Sequence, residues 1–163
     1  MQIYAIQTQD EADMIARLAQ EIWHEHYRPI IGEQQVAYML EKFQSADQIW
    51  TDIKQNGYVY KYIIIGSQAA AYMAYREEDI SCFLSKLYVK KQFRGQKLAR
   101  LLIDHLVSCC QENKRKEIYL TVNKNNDRSI AAYKKMMFKI ERSVITDIGN
   151  GFVMDDYIMR RSI

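Results

Sequence analysis

The sequence predicts an α+β fold, with a mixed, mostly antiparallel sheet of six to seven strands and helices on both of its faces. Three observations support this class. Segments rich in β-branched and aromatic residues follow one another in the middle and at the end of the chain. Segments with the apolar period of helices precede and separate them. One strand–helix–strand succession then requires two parallel neighbours.

Length and composition describe an ordinary folded domain. The chain has 163 residues, of which 48% are hydrophobic and 26% charged, with one proline and six glycines. Such a chain has enough apolar side chains to fold, and its length favours a single domain over residues 1–163. The net charge of +3 is small and no basic–aromatic stripe occurs, so we expect no nucleic-acid partner. A slightly positive chain suits an anionic cofactor.

The cysteines and the apolar segments indicate the compartment. Cys82, Cys109 and Cys110 are odd in number, and two of them are adjacent on a predicted helix, which does not fit a disulfide framework. No Cys/His spacing typical of zinc sites occurs, so we expect no metal. The first residues lack the features of a signal peptide, and no apolar run reaches transmembrane length. We therefore expect a cytoplasmic protein that does not associate with membranes.

The first part of the chain predicts a strand followed by a helix. Residues 2–6 form a short candidate strand. Thr8 and Glu11 form a capping box, which begins the helix. The helix fades near Tyr27, because Pro29 disfavours helical backbone at the residue before it.

Two more helices and a hairpin follow. Apolar residues between positions 36 and 43 recur at helical spacing, and Ser45 caps a third helix that Gly57 stops. Residues 58–65 and 68–75 are β-rich and flank a Gly-Ser turn, which is the pattern of a hairpin.

The second half of the chain predicts a crossover and a final hairpin. A strand at 80–89 leads through a basic turn into a helix that runs from about Gly95 to Glu112. The later elements are a strand at 117–122, a helix at 125–137, and strands at 138–148 and 152–160. Because the helix after Gly95 joins two neighbouring strands, those strands should be parallel, and ligands bind such sheets at the carboxyl ends of the strands.

The basic turn before this helix is a candidate phosphate site. The first amides of a helix have no partner within it, and the helix dipole places partial positive charge there. Gly95 allows the backbone to approach an anion closely, and Arg94 and Lys97 add positive charge. An ordinary strand-to-helix turn with solvated basic residues has the same composition, so the spacing alone leaves both interpretations open.

Two motifs resemble those of the GNAT acetyltransferase superfamily. Gln92-x-x-Gly95-x-Lys97 is similar to its acetyl-CoA loop, Q/R-x-x-G-x-G/A, with lysine where the family has Gly or Ala. The stretch from Asn126 is similar to its later motif, N-x-R-A-I-x-x-Y-x-K-x-G-F, with Met137 in place of a helix-ending Gly. The resemblance implies the GNAT (acyl-CoA N-acyltransferase) fold and an acetyl-CoA-dependent N-acetyltransferase of the EC 2.3.1 class that needs no metal.

The same resemblance implies how acetyl-CoA is held. Backbone N–H groups of the strand bind the acetyl carbonyl and the pantetheine arm, the basic turn binds the pyrophosphate, and the later helix contacts the cofactor from one face. The cofactor-binding residues that it implies are Leu87, Tyr88, Val89, Arg94, Gly95, Gln96, Lys97, Leu98, Ala99, Asn126 and Ser129.

Two residues are candidates for proton transfer. By resemblance, Tyr133 lies near the cofactor sulfur, where a phenol can protonate the departing thiolate. The alternative is that it is one of twelve tyrosines and only packs by its ring. Glu25 is a candidate base for the attacking amine. Its rivals are His24, His26, Glu33 and Asp155, whereas His105 lies within a helix and is expected to be structural.

The acceptor is suggested by a narrower resemblance, to PaiA-type spermidine/spermine acetyltransferases. It is carried by Ile22-Trp23 and by residues 30–34, 38–40 and 147–157. It implies a small amine substrate such as a polyamine, for which Glu25, Glu33, Asp155 and Asp156 could supply carboxylates. An enzyme for protein N-termini or lysines, and an acyl-CoA-binding sensor without catalysis, are the alternatives. A homodimer is left open.

Overall fold

The computed structural model describes all residues from Met1 to Ile163. Seven strands form one mixed sheet in the order β1-β2-β3-β4-β5-β7-β6. The strands are β1 (Ile3–Ala5), β2 (Tyr58–Ile65), β3 (Gln68–Glu77), β4 (Ser81–Val89), β5 (Glu117–Asn123), β6 (Lys139–Gly149) and β7 (Phe152–Ser162). The helices are α1 (Gln9–His26), α2 (Arg28–Ile31), α3 (Glu33–Gln44), α4 (Ala46–Gln55), α5 (Leu98–Glu112) and α6 (Asp127–Lys135). The predicted α+β class is confirmed.

The chain divides into two compact units. The first comprises Met1–Arg76 and Lys86–Leu102, and the second comprises Glu77–Ser85 and Ile103–Ile163. The single domain over residues 1–163 therefore stays a prediction.

The start of the first unit follows the predicted capping box. The Thr8 hydroxyl accepts a hydrogen bond from the Glu11 amide, and the Glu11 carboxylate accepts one from the Thr8 amide at 2.9 Å. The other carboxylate oxygen of Glu11 accepts a bond from the Tyr62 hydroxyl at 2.7 Å. This acid therefore both begins α1 and ties it to β2.

The region around Pro29 contains a helix that the sequence analysis did not predict. Helix α1 ends at His26 as expected, but the short helix α2 follows at once, with proline in its first turn. Proline is tolerated there because its missing N–H would have no partner in any case. A proline that stops one helix thus begins the next.

The rest of the first unit encloses a core between helices and a hairpin. Ser45 accepts a bond from the Gln48 amide at 3.2 Å and so begins α4. Strands β2 and β3 pair antiparallel along their lengths, as predicted. The fully buried side chains of this core are Ile15, Ile49, Tyr60, Ile63, Tyr72 and Met73.

The second unit contains the parallel pair and the final hairpin. Strands β4 and β5 are parallel from Ser81 opposite Glu117 to Phe83 opposite Tyr119, as the crossover predicts. Strand β7 pairs antiparallel with β5 on one side and with β6 on the other. The turn between β6 and β7 runs through Gly149–Gly151, where φ is positive at all three residues.

Two predicted helix bounds were wrong for a common reason. Helix α5 begins at Leu98 and not near Gly95, because Gly95 and Lys97 have left-handed backbone, with φ of 82° and 61°. Helix α6 ends at Lys135 and not at Met137, whose φ is 72°. A left-handed residue interrupts the α-helical hydrogen-bond series, and neither Lys nor Met signals this conformation as glycine does.

Candidate functional site

The path from β4 to α5 is held by backbone hydrogen bonds. The Lys90 amide donates to the Ala70 carbonyl at 2.9 Å, and a single 3₁₀ turn at Lys91–Phe93 follows. The Arg94 amide donates to the Lys91 carbonyl at 3.1 Å, while its side-chain Nε donates to the Val89 carbonyl at 3.1 Å. The loop therefore has a defined conformation where α5 begins.

The next amides in this loop have no acceptor within the protein. None of the backbone N–H groups from Gly95 to Ala99 makes a hydrogen bond. The alternation of left-handed residues, at Gly95 and Lys97, with ordinary ones turns successive N–H groups toward one side, as in anion-binding nests. Helix α5 has 15 residues, so its dipole adds partial positive charge at the same place.

These residues fit the pyrophosphate of acetyl-CoA. Gly95, Gln96 and Lys97 are exposed, and a Cβ atom at Gly95 would meet nothing within 4 Å. Glycine is required there by the backbone conformation and not by crowding. Lys97 has a left-handed backbone, with φ of 61°, at the position where the motif has Gly or Ala, and it adds an ammonium group to the loop.

The strand residues that lead into the loop have buried surroundings on one face. Leu87, Tyr88 and Val89 are half-buried. The Tyr88 ring packs against the rings of Trp23 and Tyr72, with centroids 5.7 and 5.3 Å apart. The side chain of Tyr88 thus anchors the strand in an aromatic cluster. The predicted contact with the cofactor is made by the backbone of the strand and does not use this side chain.

Glu25 lies in a cleft at the end of α1. Its Oε1 atom is 2.8 Å from Nζ of Lys91, and Glu21 is 2.7 Å from Nζ of Lys90. The hydrogen bond from Lys91 lowers the pKa of Glu25. A carboxylate with a lowered pKa is a weaker base, so the ion pair would have to open before Glu25 could take a proton. The cleft has a volume of about 390 Å³ and is lined by Glu21, Ile22, Glu25, Lys90, Lys91 and Gln92.

The rival bases are also engaged or exposed. Glu33 is paired with Arg28 at 3.2 Å, and Asp155 is paired with Lys124 at 2.5 Å. His26 has its ring against Tyr27, and His24 is exposed on α1.

The α6 residues belong to the second unit. Asn126 is 2% exposed, and its side-chain oxygen accepts a hydrogen bond from the Ser129 amide at 3.3 Å. It therefore caps α6, a structural role that the sequence analysis did not assign to it. Tyr133 is half-buried, with its ring 5.7 Å from that of Phe138.

Asp156 is a buried acid of the second unit, which the sequence predicts only as a carboxylate for the acceptor. Asp156 on β7 is 3% exposed, and its Oδ1 atom has no hydrogen-bond partner. The pKa of Asp156 is raised to about 6, chiefly by burial and also by the neighbouring Asp155, while the charge of Lys124 acts against both. Two successive acids in a strand must face opposite sides, so the sequence did carry a signal that one of them points inward.

No group of three or more His, Cys, Asp or Glu side chains is placed to hold a metal ion. None of the helices is both long and apolar enough to cross a membrane.

Comparison with known proteins identifies the class. Residues 15–138 match the model of the acetyltransferase (GNAT) family. This match spans most of the chain, and the chain belongs to that family. It is therefore an acetyl-CoA-dependent N-acetyltransferase, and acetyl-CoA is its cosubstrate.

Solved structures have the same fold at low sequence identity. PaiA N-acetyltransferase from Thermoplasma acidophilum, determined in complex with coenzyme A, is 18% identical, with a TM-score of 0.83 and 100% of both chains covered. A GCN5-related N-acetyltransferase from Rhodopseudomonas palustris is 12% identical, with a TM-score of 0.82 over 99% of this chain and 95% of the other. The ribosomal-protein-S18-alanine N-acetyltransferase from Escherichia coli is 17% identical, with a TM-score of 0.66 over 99% and 93%. The predicted GNAT fold is confirmed.

Proposed function

We propose that this enzyme acetylates a primary amine of a small cationic molecule, of the polyamine class, by direct attack of the amine. When bound, acetyl-CoA supplies an activated acetyl group as a thioester. The observation that carries the cofactor part of this proposal is the run of five amides from Gly95 to Ala99 without acceptors, which suits a pyrophosphate. Arg94 and Lys97 add positive charge to that loop.

The strand before the loop has a part in the same proposal. The backbone N–H groups of Leu87, Tyr88 and Val89 hold the pantetheine arm and donate to the acetyl carbonyl oxygen as negative charge builds on it. Donors that are fixed before the reaction contribute most, because they need no reorganisation as the charge develops. The anchored side chain of Tyr88 supports such a fixed backbone.

Tyr133 has the chemistry of the general acid. A neutral phenol is a proton donor and the departing thiolate of coenzyme A is a proton acceptor, so Tyr133 can supply the proton that the thiolate needs. Asn126 and Ser129 share the helix with Tyr133 and contact the cofactor in this proposal. Because the Asn126 oxygen caps α6, its cofactor contact would use another of its atoms.

The acceptor class rests on charge and resemblance. A polyamine carries several ammonium groups and needs carboxylates in its site. Glu25, Glu33, Asp155 and Asp156 are the carboxylates that the sequence nominates, and Glu25 is the base first proposed from it. The polyamine class itself rests on the resemblance of the sequence to PaiA-type enzymes.

A protein N-terminus is the second candidate acceptor. The observation that favours it is the shared fold with the ribosomal-protein-S18-alanine N-acetyltransferase. A peptide acceptor differs from a polyamine in having one amine and a long neutral chain, so a substrate panel separates the two.

The test measures thiol release from acetyl-CoA with spermidine, spermine, putrescine and an alanine-ended peptide. We expect turnover with the polyamines. Tyr133→Phe should lower kcat by about 10²- to 10⁴-fold while calorimetry shows unchanged coenzyme A binding. Tyr4→Phe is the matched control, since it removes the hydroxyl of an exposed tyrosine on β1, and it should keep full activity.

Three results would contradict parts of this proposal. Parental activity in Tyr133→Phe would exclude the phenol as the acid. Turnover with the peptide and with none of the polyamines would favour the second candidate acceptor, a protein N-terminus. Tight coenzyme A binding without turnover on any amine would support an acyl-CoA sensor.

A further inference from the structure

Asp156 lies beside the carboxyl end of β5. Ligands of parallel strands bind at this end of a sheet. Asp156 is opposite Asn123, the last residue of β5, in the register between β5 and β7. Strand β5 is parallel to β4, and crevices outside the carboxyl ends of parallel strands are the usual ligand sites of such sheets. The loop from Asn123 to Asn126 also begins α6 here, since the Asn126 amide donates to the Asn123 carbonyl.

The carboxylate of Asp156 is buried without a donor. The residue is 3% exposed and Oδ1 has no hydrogen-bond partner. Leaving a buried polar atom unpaired is costly, and more so when it is charged. Its neighbours Asn123, Lys124 and Tyr157 are only half-buried, so the carboxylate lies close beneath the surface, where a ligand can supply the missing donor.

The charged groups around Asp156 do not neutralise it. Lys124 is committed to Asp155, at 2.5 Å, and its ammonium also lies over the Tyr157 ring. From β5 the facing residue is Asn123 and from β6 it is Val144, and neither titrates. Asp155, Asp156 and Lys124 together have one more acid than base, which attracts a cation.

We propose that Asp156 binds the ammonium group of the acceptor and accepts its proton. This inference rests on the proposed function, because it assumes a cationic amine as the acceptor. It assigns the role of base to Asp156 in place of Glu25, which is exposed and paired with Lys91.

The proton step balances without a further reactant. The ammonium nitrogen transfers one proton to a carboxylate oxygen of Asp156, which becomes a neutral acid. The nitrogen keeps the electron pair of the broken N–H bond and becomes a nucleophile. The acid then returns its proton to solvent. Its pKa, raised to about 6 by burial, keeps Asp156 mostly ionised at neutral pH while making it a better proton acceptor than an ordinary aspartate.

The decisive comparison is Asp156→Asn against Asp79→Asn. The first keeps the shape of the buried side chain but cannot take a proton, and the second makes the same change at an exposed acid between β3 and β4 that has no part in the proposed site. We expect Asp156→Asn to lower kcat/KM for spermidine by about 10²- to 10⁴-fold and to remove the acid limb of its pH profile. Asp79→Asn should keep the parental activity and that limb. Asp156→Glu should restore part of the activity and the limb, because it retains a carboxylate.

A binding measurement tests the same group without turnover. Calorimetric titration of the coenzyme A complex with spermidine should show affinity at least about 30-fold weaker in Asp156→Asn. Asp79→Asn should bind as the parent does. Coenzyme A itself should bind all three proteins equally.

The outcomes separate this inference from the proposed function. If the parent acetylates spermidine and Asp156→Asn matches it in rate, affinity and pH profile, Asp156 has no such role although the proposed function stands. If the parent acetylates no amine, the proposed function fails, and the titration still decides: weaker spermidine binding in Asp156→Asn supports the ammonium site. Equal or absent binding overturns it.

Discussion

Two buried aspartates of this enzyme have opposite surroundings. Asp52 on α4 is 7% exposed and Asp156 on β7 is 3% exposed. The Oδ1 atom of Asp52 accepts hydrogen bonds from Gln48 and Asn56, both at 2.9 Å, and its Oδ2 atom lies 3.9 Å from the ammonium of Lys86. Asp156 has no such partner on its buried oxygen.

The difference separates a structural charge from one available to a ligand. Burial lowers the pKa of Lys86 to about 8, and the charge of Asp52 acts against that shift. The ammonium of Lys86 also lies over the Tyr58 and Tyr60 rings. This cluster supplies its own donors and acceptors, so nothing outside the protein is needed to complete it. Asp156 lies beside the carboxyl end of β5, and its buried Oδ1 atom has no donor.

The largest expected effect comes from breaking the complete cluster. Asp52→Ala should destabilise the protein by about 3–5 kcal/mol, because it leaves the ammonium of Lys86 buried without a counter-charge. Urea unfolding followed by circular dichroism measures this. Adding Lys86→Met should recover much of the loss, since a buried pair can often be replaced by apolar side chains. If Asp52→Ala alone unfolds at the same urea midpoint as the parent, the cluster does not stabilise the fold.

The next effect concerns the incomplete site and has the opposite sign. Asp156→Asn should raise stability by up to roughly 3 kcal/mol at pH 8, because it removes a buried charge that has no donor. The pKa of Asp156 is about 6 in the folded state against 3.8 as the ordinary value. The folded state therefore binds more protons between these values, and the stability of the parent falls as pH rises from about 4 to above 6.

The measurement is the difference in unfolding free energy between the parent and Asp156→Asn across this pH range. We expect the two proteins to be nearly equal at pH 4 and to diverge by pH 8. Asp79→Asn should show no such divergence, because its side chain is exposed and Asp79 is not among the charges that act on Asp156. A difference in unfolding free energy that is the same at every pH would mean that folding does not raise the pKa of Asp156. The contrast with Asp52 would then be lost.

The smallest expected effect comes from a substitution at Met137, which leaves both buried aspartates unchanged and serves as a reference for them. Met137 is 66% exposed and has φ of 72°. Met137→Gly should stabilise the protein by about 1 kcal/mol, because the left-handed strain of a non-glycine residue exceeds the entropy that glycine loses on folding. Thermal unfolding measures it, with Met136→Gly, at a buried position with negative φ, as the destabilising control. Equal melting temperatures for Met137→Gly and the parent would show that no strain is stored there.

Short-range signals in the sequence were sufficient for most of the fold. The capping box at Thr8, the cap at Ser45 and the Gly-Ser turn of the hairpin each involve residues a few positions apart. The parallel pairing of β4 and β5 followed from the single crossover between them. Each of these features depends on local chemistry or on a general rule of topology, so the sequence alone contained them.

The features that the sequence did not reveal depend on distant residues or on backbone conformation. Lys97 and Met137 take left-handed conformations that their side chains do not signal. The alternation of the strand predicts that one of Asp155 and Asp156 points inward but not which one, and the burial of Asp156 depends on β5, which is distant in the chain. The pairing of Asp52 with Lys86 likewise joins a helix to a strand. Such contacts exist only once the chain has folded.

Strand β6 is a possible site of aggregation, and its own charged side chains oppose this. It is the last strand in the sheet order, so one row of its N–H and C=O groups has no neighbouring strand. An open edge of 11 residues, with Ile145 69% exposed, is a template on which other chains can polymerise. The charged residues Lys139, Glu141, Arg142 and Asp147 lie along it and act as gatekeepers, because another chain adding to this edge would have to bring its backbone past charged groups. The charges along β6 therefore protect this edge of the sheet against aggregation.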